Sequence, residues 1–447
     1  MRIVHLSTSD VSGGAARAAF RVHTGLKRLG HDSRMIVLRK SSGDETVSTL
    51  GIRGDLVGKL KRTIRRRRIE ADFARYAATR PAGFELFSDD RTEHGGQLLK
   101  QIPDCDVINL HWVAGFVDYE RFFGGIPANI PVVWRLADMA PLTGGCHYDH
   151  GCGKFTNRCG ACPQLGSRDE NDLSREIWTR KNASLARHRP SGIHLVATSN
   201  WIAAEAKRSS LLGEFPVTVI PNALDVEEFA PRDKGFARDL WNIPRDANVI
   251  LFVGETLELR RKGFAELTQA LAGLTDVPRP FLLSVGGMKS KLDMPIPHLN
   301  LGRITNDRLL SIAYSAADVF VIPSLQESFG QTVIESMACG TPVVGFATGG
   351  IPDMVRPNET GWLAPTGDTA ALRDAIASAL QTLSNPENRA RMSETCRNTA
   401  VREYALDGQA RRYETLYQTL VKPQMRQVAA TVAQASGYEK PAPGIVR

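Results

Sequence analysis

Long apolar runs are missing from this sequence: nowhere in its 447 residues does one approach the roughly 18 that a spanning helix requires. The N-terminus enters a short strand-like segment, RIVHLST, without the apolar core of a signal peptide. The expectation is therefore a cytoplasmic protein, in which the Asn182-Ala183-Ser184 sequon is silent. A strong charge of one sign is missing too. The net +8 is mild for this length, and neither an aromatic platform nor a recognition motif accompanies the basic residues. That pattern argues against nucleic acid as a partner. Short-period repeats are absent, and one hydrophobic core cannot serve so long a chain, which leaves two or three domains. With 42% hydrophobic and 23% charged residues, they have an ordinary soluble composition.

Two series of alternating strands and helices are present. In the first half, strands are expected at Arg2–Thr8, Asp106–Leu110, Pro131–Leu136, Ile193–Ser199 and Val217–Pro221, with helices at Ala15–Leu29 and Trp201–Leu212. After a polar connection over 231–246, the pattern restarts. Strands fall at Val249–Gly254, Phe281–Gly286, Leu299–Gly302, Val319–Ile322, Pro342–Phe346 and Gly361–Ala364. Helices fall at Gly263–Leu274, Thr305–Ala317, Gln331–Cys339 and Asp368–Leu383. This alternation implies an α/β chain of two doubly wound parallel-sheet (Rossmann-like) domains facing across a cleft.

The richest stretch is Asp318 to Val355, where a buried strand, a polar loop and a helix follow in that order. Such an order places free backbone N–H groups and a positive dipole end at the carboxyl edge of a sheet, a site for anions. Glu327 precedes the helix and Glu335 lies eight residues on, about two turns away. Acids beside a phosphate site are better suited to neutral hydroxyls than to the phosphate. Phosphate flanked by hydroxyl-rich groups describes a nucleotide sugar. A second strand–glycine–helix junction, with Gly13 and Gly14, opens the first half.

ESFGQTVIE, followed by ACGTPVV and GGIPD, resembles the donor-site signature of retaining GT-B glycosyltransferases of the glycosyltransferase-1-like group. The resemblance implies that Glu327 approaches the transferred sugar, that Glu335 takes the ribose hydroxyls, and that the backbone of Phe329, Gly330 and Gln331 lies near sugar and phosphate. It sets Gly13 and Gly14 against the donor phosphates across the cleft. Relatives often carry an Arg directly after the strand glycine and a Lys some residues later. Glu255 stands at that Arg position, Lys262 matches the lysine, and Arg261 is the expected substitute. ADM-PLTGGCHY with CGACPQL resembles the colanic-acid-type exopolysaccharide subgroup, whose members commonly have His-Asp where this chain has Ala137-Asp138. Asp138 is left as the polar group there, and His111, at a strand's carboxyl end, is an acceptor-side candidate.

The resemblance divides the chain into an acceptor-side domain (1–230), a nucleotide-sugar domain (231–405), a helix returning to the first domain (406–420) and a loose tail (421–447). It implies a retaining hexose transfer from a nucleoside-diphosphate sugar to a sugar hydroxyl, on a lipid-linked oligosaccharide of surface-polysaccharide assembly. No catalytic metal is required. The competing class is a catalytically weakened sugar-nucleotide-binding scaffold. Two features stand outside this scheme. Cys146, Cys152, Cys159 and Cys162 crowd the polar, Gly-rich loop 143–165, a pattern that suggests a structural zinc. Residues 56–76 read as a basic amphipathic helix with Leu56, Leu60 and Ile64 at i, i+4 spacing, a form that lies on anionic membrane such as the inner face of a plasma membrane.

Overall fold

Thirteen strands and their connecting helices form two parallel sheets in the computed structural model of the chain. It describes residues 1–435 except 53, 84–85, 190–191, 258 and 289–292, with side chains described as far as 421. The first sheet holds β1 (Arg2–Ser9), β2 (Asp32–Arg39), β3 (Val47–Thr49), β4 (Val107–Leu110), β5 (Val132–Leu136), β6 (Ile193–Ala197) and β7 (Val217–Val219). Its spatial order is β3-β2-β1-β4-β5-β6-β7. The second sheet holds β8 (Asn248–Thr256), β9 (Pro280–Gly287), β10 (His298–Asn300), β11 (Val319–Ile322), β12 (Val343–Phe346) and β13 (Gly361–Ala364), in the order β10-β9-β8-β11-β12-β13. Every pairing is parallel. Helices cover both faces, so the central strands are continuous apolar runs such as VFVI in β11, buried throughout.

Strand order reverses between β1 and β4 in the first sheet and between β8 and β11 in the second. Loops leaving the carboxyl ends at such a switch point diverge and open a crevice, which is where ligands bind in open α/β sheets. The residues singled out from the sequence leave these strands: Gly13 and Gly14 follow β1, His111 follows β4, Arg261 and Lys262 follow β8, and Glu327 follows β11.

Six elements differ from the expectations. β2 and β3 and the helix Leu173–Leu185 were not anticipated, because DSRMIVLR is short and half polar and the helix carries no clean apolar stripe. The connection 231–246 contains a helix, Lys234–Leu240, capped by the Asp233 side chain on the Phe236 N–H and tied down by Arg238 to Asp318 at 2.8 Å. The first-domain helix expected to end at Leu212 stops at Arg208. The last helix runs from Leu406 to Ala435, past the point where a loose tail over 421–447 was expected. Pro423 suggested a break, yet the Gln, Met, Arg and Ala residues that follow are good helix formers. Residues 436–447 lie outside the described residues. Tyr413 and Tyr417 of this helix pack on Ile3, Val22 and Leu26 of the first domain, and Asn109 of β4 donates to the Tyr417 hydroxyl at 2.8 Å.

Candidate active site

Glu327 is buried and carries two cations from the turn after β8. Lys262 Nζ donates to its Oε2 at 2.5 Å, and Arg261 Nη1 stands 3.3 Å from the same oxygen. Burial by itself would raise the pKa of this carboxyl, but Lys262, Arg261 and the Phe329 N–H overcome it and hold the group down at about 2. Two glycines let the pieces meet. Gly263, at φ +71°, lies so close to β11 that a Cβ there would fall 1.7 Å from the Pro323 carbonyl. Gly349, at φ +55°, sits equally close to the carbonyl of Glu327. Gly330, also left-handed, ends the loop at the N-terminus of the helix Gln331–Ala338. The Phe329 ring turns into the core against Tyr404, so only its backbone serves the site.

The first domain closes over this cluster. Gln331 Nε2 donates to the Gly14 carbonyl at 2.8 Å, and its Oε1 accepts from Arg21 at 2.7 Å. Arg21, on the helix Gly14–Arg28, also reaches Asp307 at 3.2 Å and Glu335 at 3.6 Å. Glu335 is buried and accepts from the Tyr314 hydroxyl at 3.1 Å. Burial pushes its pKa up, with Arg21 opposing. Gln331 thus joins Gly14 to Arg21, and Arg21, which the sequence reading missed, reaches Glu335. Its signal was a charge among the buried Ala18, Ala19, Val22 and Leu26 of the same helix.

On the acceptor side, Asp138 is buried and fully engaged. It accepts from Trp112 Nε1 at 2.8 Å and from the Ala140 N–H at 2.9 Å, and it meets His147 Nδ1 at 2.6 Å. His147 Nε2 in turn meets the Ser88 hydroxyl at 2.7 Å. Burial raises the Asp138 carboxyl, but the imidazole and the other donors outweigh it and lower its pKa. The family histidine missing at Ala137 therefore has a neighbour in space, His147, nine residues beyond Asp138. Asp138, Ser88, Trp112 and His111 line one cavity of about 20 Å³ at the carboxyl ends of β4 and β5. Glu255 lies apart from all of this, exposed and 3.8 Å from Arg303.

The cysteine loop belongs to the site as a wall. Its Tyr148 ring lies under the Arg261 guanidinium at 4.1 Å, and its hydroxyl stands 3.3 Å from Ser328 Oγ. Asp149 accepts from Gln326 at 2.9 Å. Ser328 Oγ donates to the Ala137 carbonyl at 2.6 Å, which links the loop after β11 directly to the loop after β5. The four cysteines are free thiols lining a second cavity of about 20 Å³, and the Gly144 N–H donates to Cys159 Sγ at 3.1 Å. Among the described residues, no group of three or more His, Cys, Asp or Glu side chains is arranged to hold a metal ion. The expected zinc therefore finds a shared cavity but no assembled ligand set.

With this geometry in view, the sequence comparisons cover less than half of the chain and the structural ones nearly all of it. Residues 233–399 match the family described as Glycosyl transferases group 1. The D-inositol 3-phosphate glycosyltransferase of Mycobacteroides abscessus is 36% identical over 178 residues, 37% of this chain and 39% of that protein. Its counterpart in Saccharomonospora viridis is 33% identical over 205 residues, 42% of this chain and 46% of that protein. The chain thus matches less than half the length of either relative. Among solved structures, sucrose-phosphate synthase from Thermosynechococcus elongatus superposes with a TM-score of 0.63 at 22% identity, covering 95% of this chain and all (100%) of that one. Anabaena HepE, solved in complex with UDP-glucose, gives 0.58 at 15% identity over 94% of this chain and 100% of that one. The fold is GT-B, and the match to Glycosyl transferases group 1 lies within its second domain.

Proposed function

We propose that the protein is a retaining glycosyltransferase that moves a hexose from a nucleoside-diphosphate sugar to a hydroxyl of an acceptor sugar. The observation that carries the reading is the Glu327 cluster. A buried carboxylate, held ionised by Lys262 and Arg261, sits at the N-terminal end of a helix at the sheet's switch point, directly under the first domain. A nucleoside diphosphate needs cations and free N–H groups at its phosphates, and a carboxylate accepts hydrogen bonds from the hydroxyls of its sugars. Arg261, Lys262 and the helix end would stabilise the leaving diphosphate as the glycosidic bond breaks. Glu327 would position the sugar, and Glu335, once Arg21 yields, would hold the ribose. Closure of the first domain through Gly14, Gln331 and Ser328 would exclude water and limit hydrolysis of the donor.

The acceptor proposed here is a lipid-linked oligosaccharide of surface-polysaccharide assembly, in keeping with the CGACPQL resemblance. A phosphorylated inositol is the second reading, favoured by the D-inositol 3-phosphate glycosyltransferases among the similar proteins. For a lipid-linked acceptor, the basic helix Leu56–Ala74 would rest on anionic membrane. Its Leu56 and Leu60 are 84% and 61% exposed. Among the described residues, no helix is long and apolar enough to cross a membrane. Zinc at the four cysteines is also our proposal. It is supported by their common cavity and would require the thiols to close on the ion.

The test is a screen of nucleotide sugars against lipid-linked saccharides and inositol phosphate, with products identified by mass spectrometry. Replacing Glu327 and Glu335 together with alanine is expected to abolish turnover and weaken nucleotide binding. Unchanged turnover and affinity in that variant would overturn the transferase reading. A wild type that binds a nucleotide sugar yet neither transfers nor hydrolyses it would identify a scaffold instead.

A further inference from the structure

A chain of buried hydrogen bonds runs from the acceptor-side cavity to the surface, and nothing in the mechanism above uses it. His111 Nε2 meets His5 Nδ1 at 2.9 Å, and His5 Nε2 meets Ser33 Oγ at 3.0 Å. Ser33 Oγ meets His23 Nδ1 at 2.8 Å, and His23 Nε2 meets Thr46 Oγ1 at 2.9 Å. Thr46 Oγ1 donates to Asp44 Oδ1 at 2.6 Å. His5, His23, His111 and Ser33 are all buried.

The outer end dictates the direction of every bond. Lys27 Nζ has only donors, and it is 3.1 Å from Thr46 Oγ1 and 2.7 Å from Asp44. Asp44, ionised against that ammonium, has only acceptors. The Thr46 hydrogen must therefore go to Asp44, and its oxygen must accept from both Lys27 and His23. His23 is then protonated on Nε2 and bare on Nδ1, so Ser33 donates to it. Ser33 Oγ can only accept from His5, which places the His5 proton on Nε2. His5 Nδ1, left bare, accepts from His111 Nε2–H. Asn109 Nδ2, a donor 3.4 Å from His5 Nδ1, gives the same answer independently. What remains is His111 Nδ1, a lone pair without a partner on a side chain that lines the acceptor-side cavity. A cavity of about 20 Å³ admits one hydroxyl or water.

We propose that Asp44 sets the tautomer of His111 through these five hydrogen bonds, so that His111 Nδ1 accepts a hydrogen bond from the acceptor's hydroxyl. This deepens the transferase reading and rests on it for the identity of the hydroxyl. The tautomer itself does not. His111 binds the hydroxyl without taking its proton, because its ring is buried and its other nitrogen stands against His5. Burial and the neighbouring His5 both disfavour the charged form. Asp44, Thr46, His23, Ser33 and His5 are positioning residues.

Two-bond ¹H–¹⁵N correlation spectra of the ¹⁵N-histidine-labelled full chain test the idea without substrate. The wild type is expected to show His5, His23 and His111 as Nε2–H tautomers. Thr46→Ser, which keeps the hydroxyl, should leave them so. Thr46→Val removes the fixed acceptor and should give His111 in both tautomers. Ser33→Ala, which cuts the chain from inside, should do the same. A wild-type His111 protonated on Nδ1, or one unmoved by both Thr46→Val and Ser33→Ala, overturns the proposal. In transfer assays Thr46→Val should raise KM for the acceptor about tenfold, the worth of one hydrogen bond, and leave KM for the donor in place. An equal rise in both would show a structural role only and would also overturn it.

Discussion

Glu327→Gln isolates the electrostatics of the cluster, because glutamine keeps the volume and removes the charge. In the folded chain the carboxyl titrates at about 2, against 4.5 for the unperturbed group. Burial works against this shift, so Lys262 and Arg261 must more than offset the desolvation. A difference of roughly 2.5 units corresponds to about 3 kcal/mol of native stability tied to the ionised form. The sign follows from the depressed value: the contribution is complete above pH 4.5 and disappears as pH falls through about 2. The same loss seen from the cations, the stranding of Lys262 and the buried Arg261, is likewise on the order of 3 kcal/mol by the usual cost of breaking a buried pair. Urea denaturation of wild type and Glu327→Gln should therefore differ by about 3 kcal/mol from pH 8 to pH 5. The two should converge as the pH is lowered below 4.5 towards 2. A difference that stays constant down to pH 2.5, or that is absent at pH 7, refutes the ion-pair account.

Three further outcomes follow from the same geometry. Burial lowers the pKa of His23 to about 4 and holds His5 and His111 well below the ordinary histidine value, so all three fold in neutral form. Their contribution is intact above pH 6.5 and is lost as pH falls towards 4. His23 alone accounts for about 3 kcal/mol of that loss, seen as a midpoint in urea that drops between pH 7 and pH 5. Elemental analysis of protein purified under reducing conditions should find about one zinc per chain, and less than half an equivalent dismisses the metal. Co-sedimentation with phosphatidylglycerol vesicles should exceed that with phosphatidylcholine, fall with added salt and fall further in Leu60→Glu. Equal binding to both lipids rules out the proposed contact of Leu56–Ala74.

Much of the fold could be read because a parallel sheet buried on both faces writes its strands as apolar runs, and VFVI and VVGF stand out for that reason. β3 is an edge strand of three residues, two of them exposed, and β2 beside it mixes polar with apolar residues, which is why both went unread. The proposed donor site was legible because it is local. Glu327, Phe329, Gly330, Gln331 and Glu335 occupy one loop and the helix it opens, so spacing along the chain is nearly spacing in space.

The acceptor side obeys no such rule. His147 reaches Asp138 only because the cysteine loop folds back, and Arg21 reaches Glu335 across more than three hundred residues of sequence. Here a residue's chemistry depends on partners brought by topology, as His111 shows most fully. As a letter in NLHW it is a lone imidazole, equally able to donate or accept from either nitrogen. Its character is fixed by a carboxylate on the far side of β1, through groups on β1, β2, the helix Gly14–Arg28 and the loop before β3. Each of those groups has an ordinary local reading as a packed histidine or a surface serine. Only their order in space, anchored by an ammonium that cannot accept and a carboxylate that cannot donate, turns them into a device with a direction.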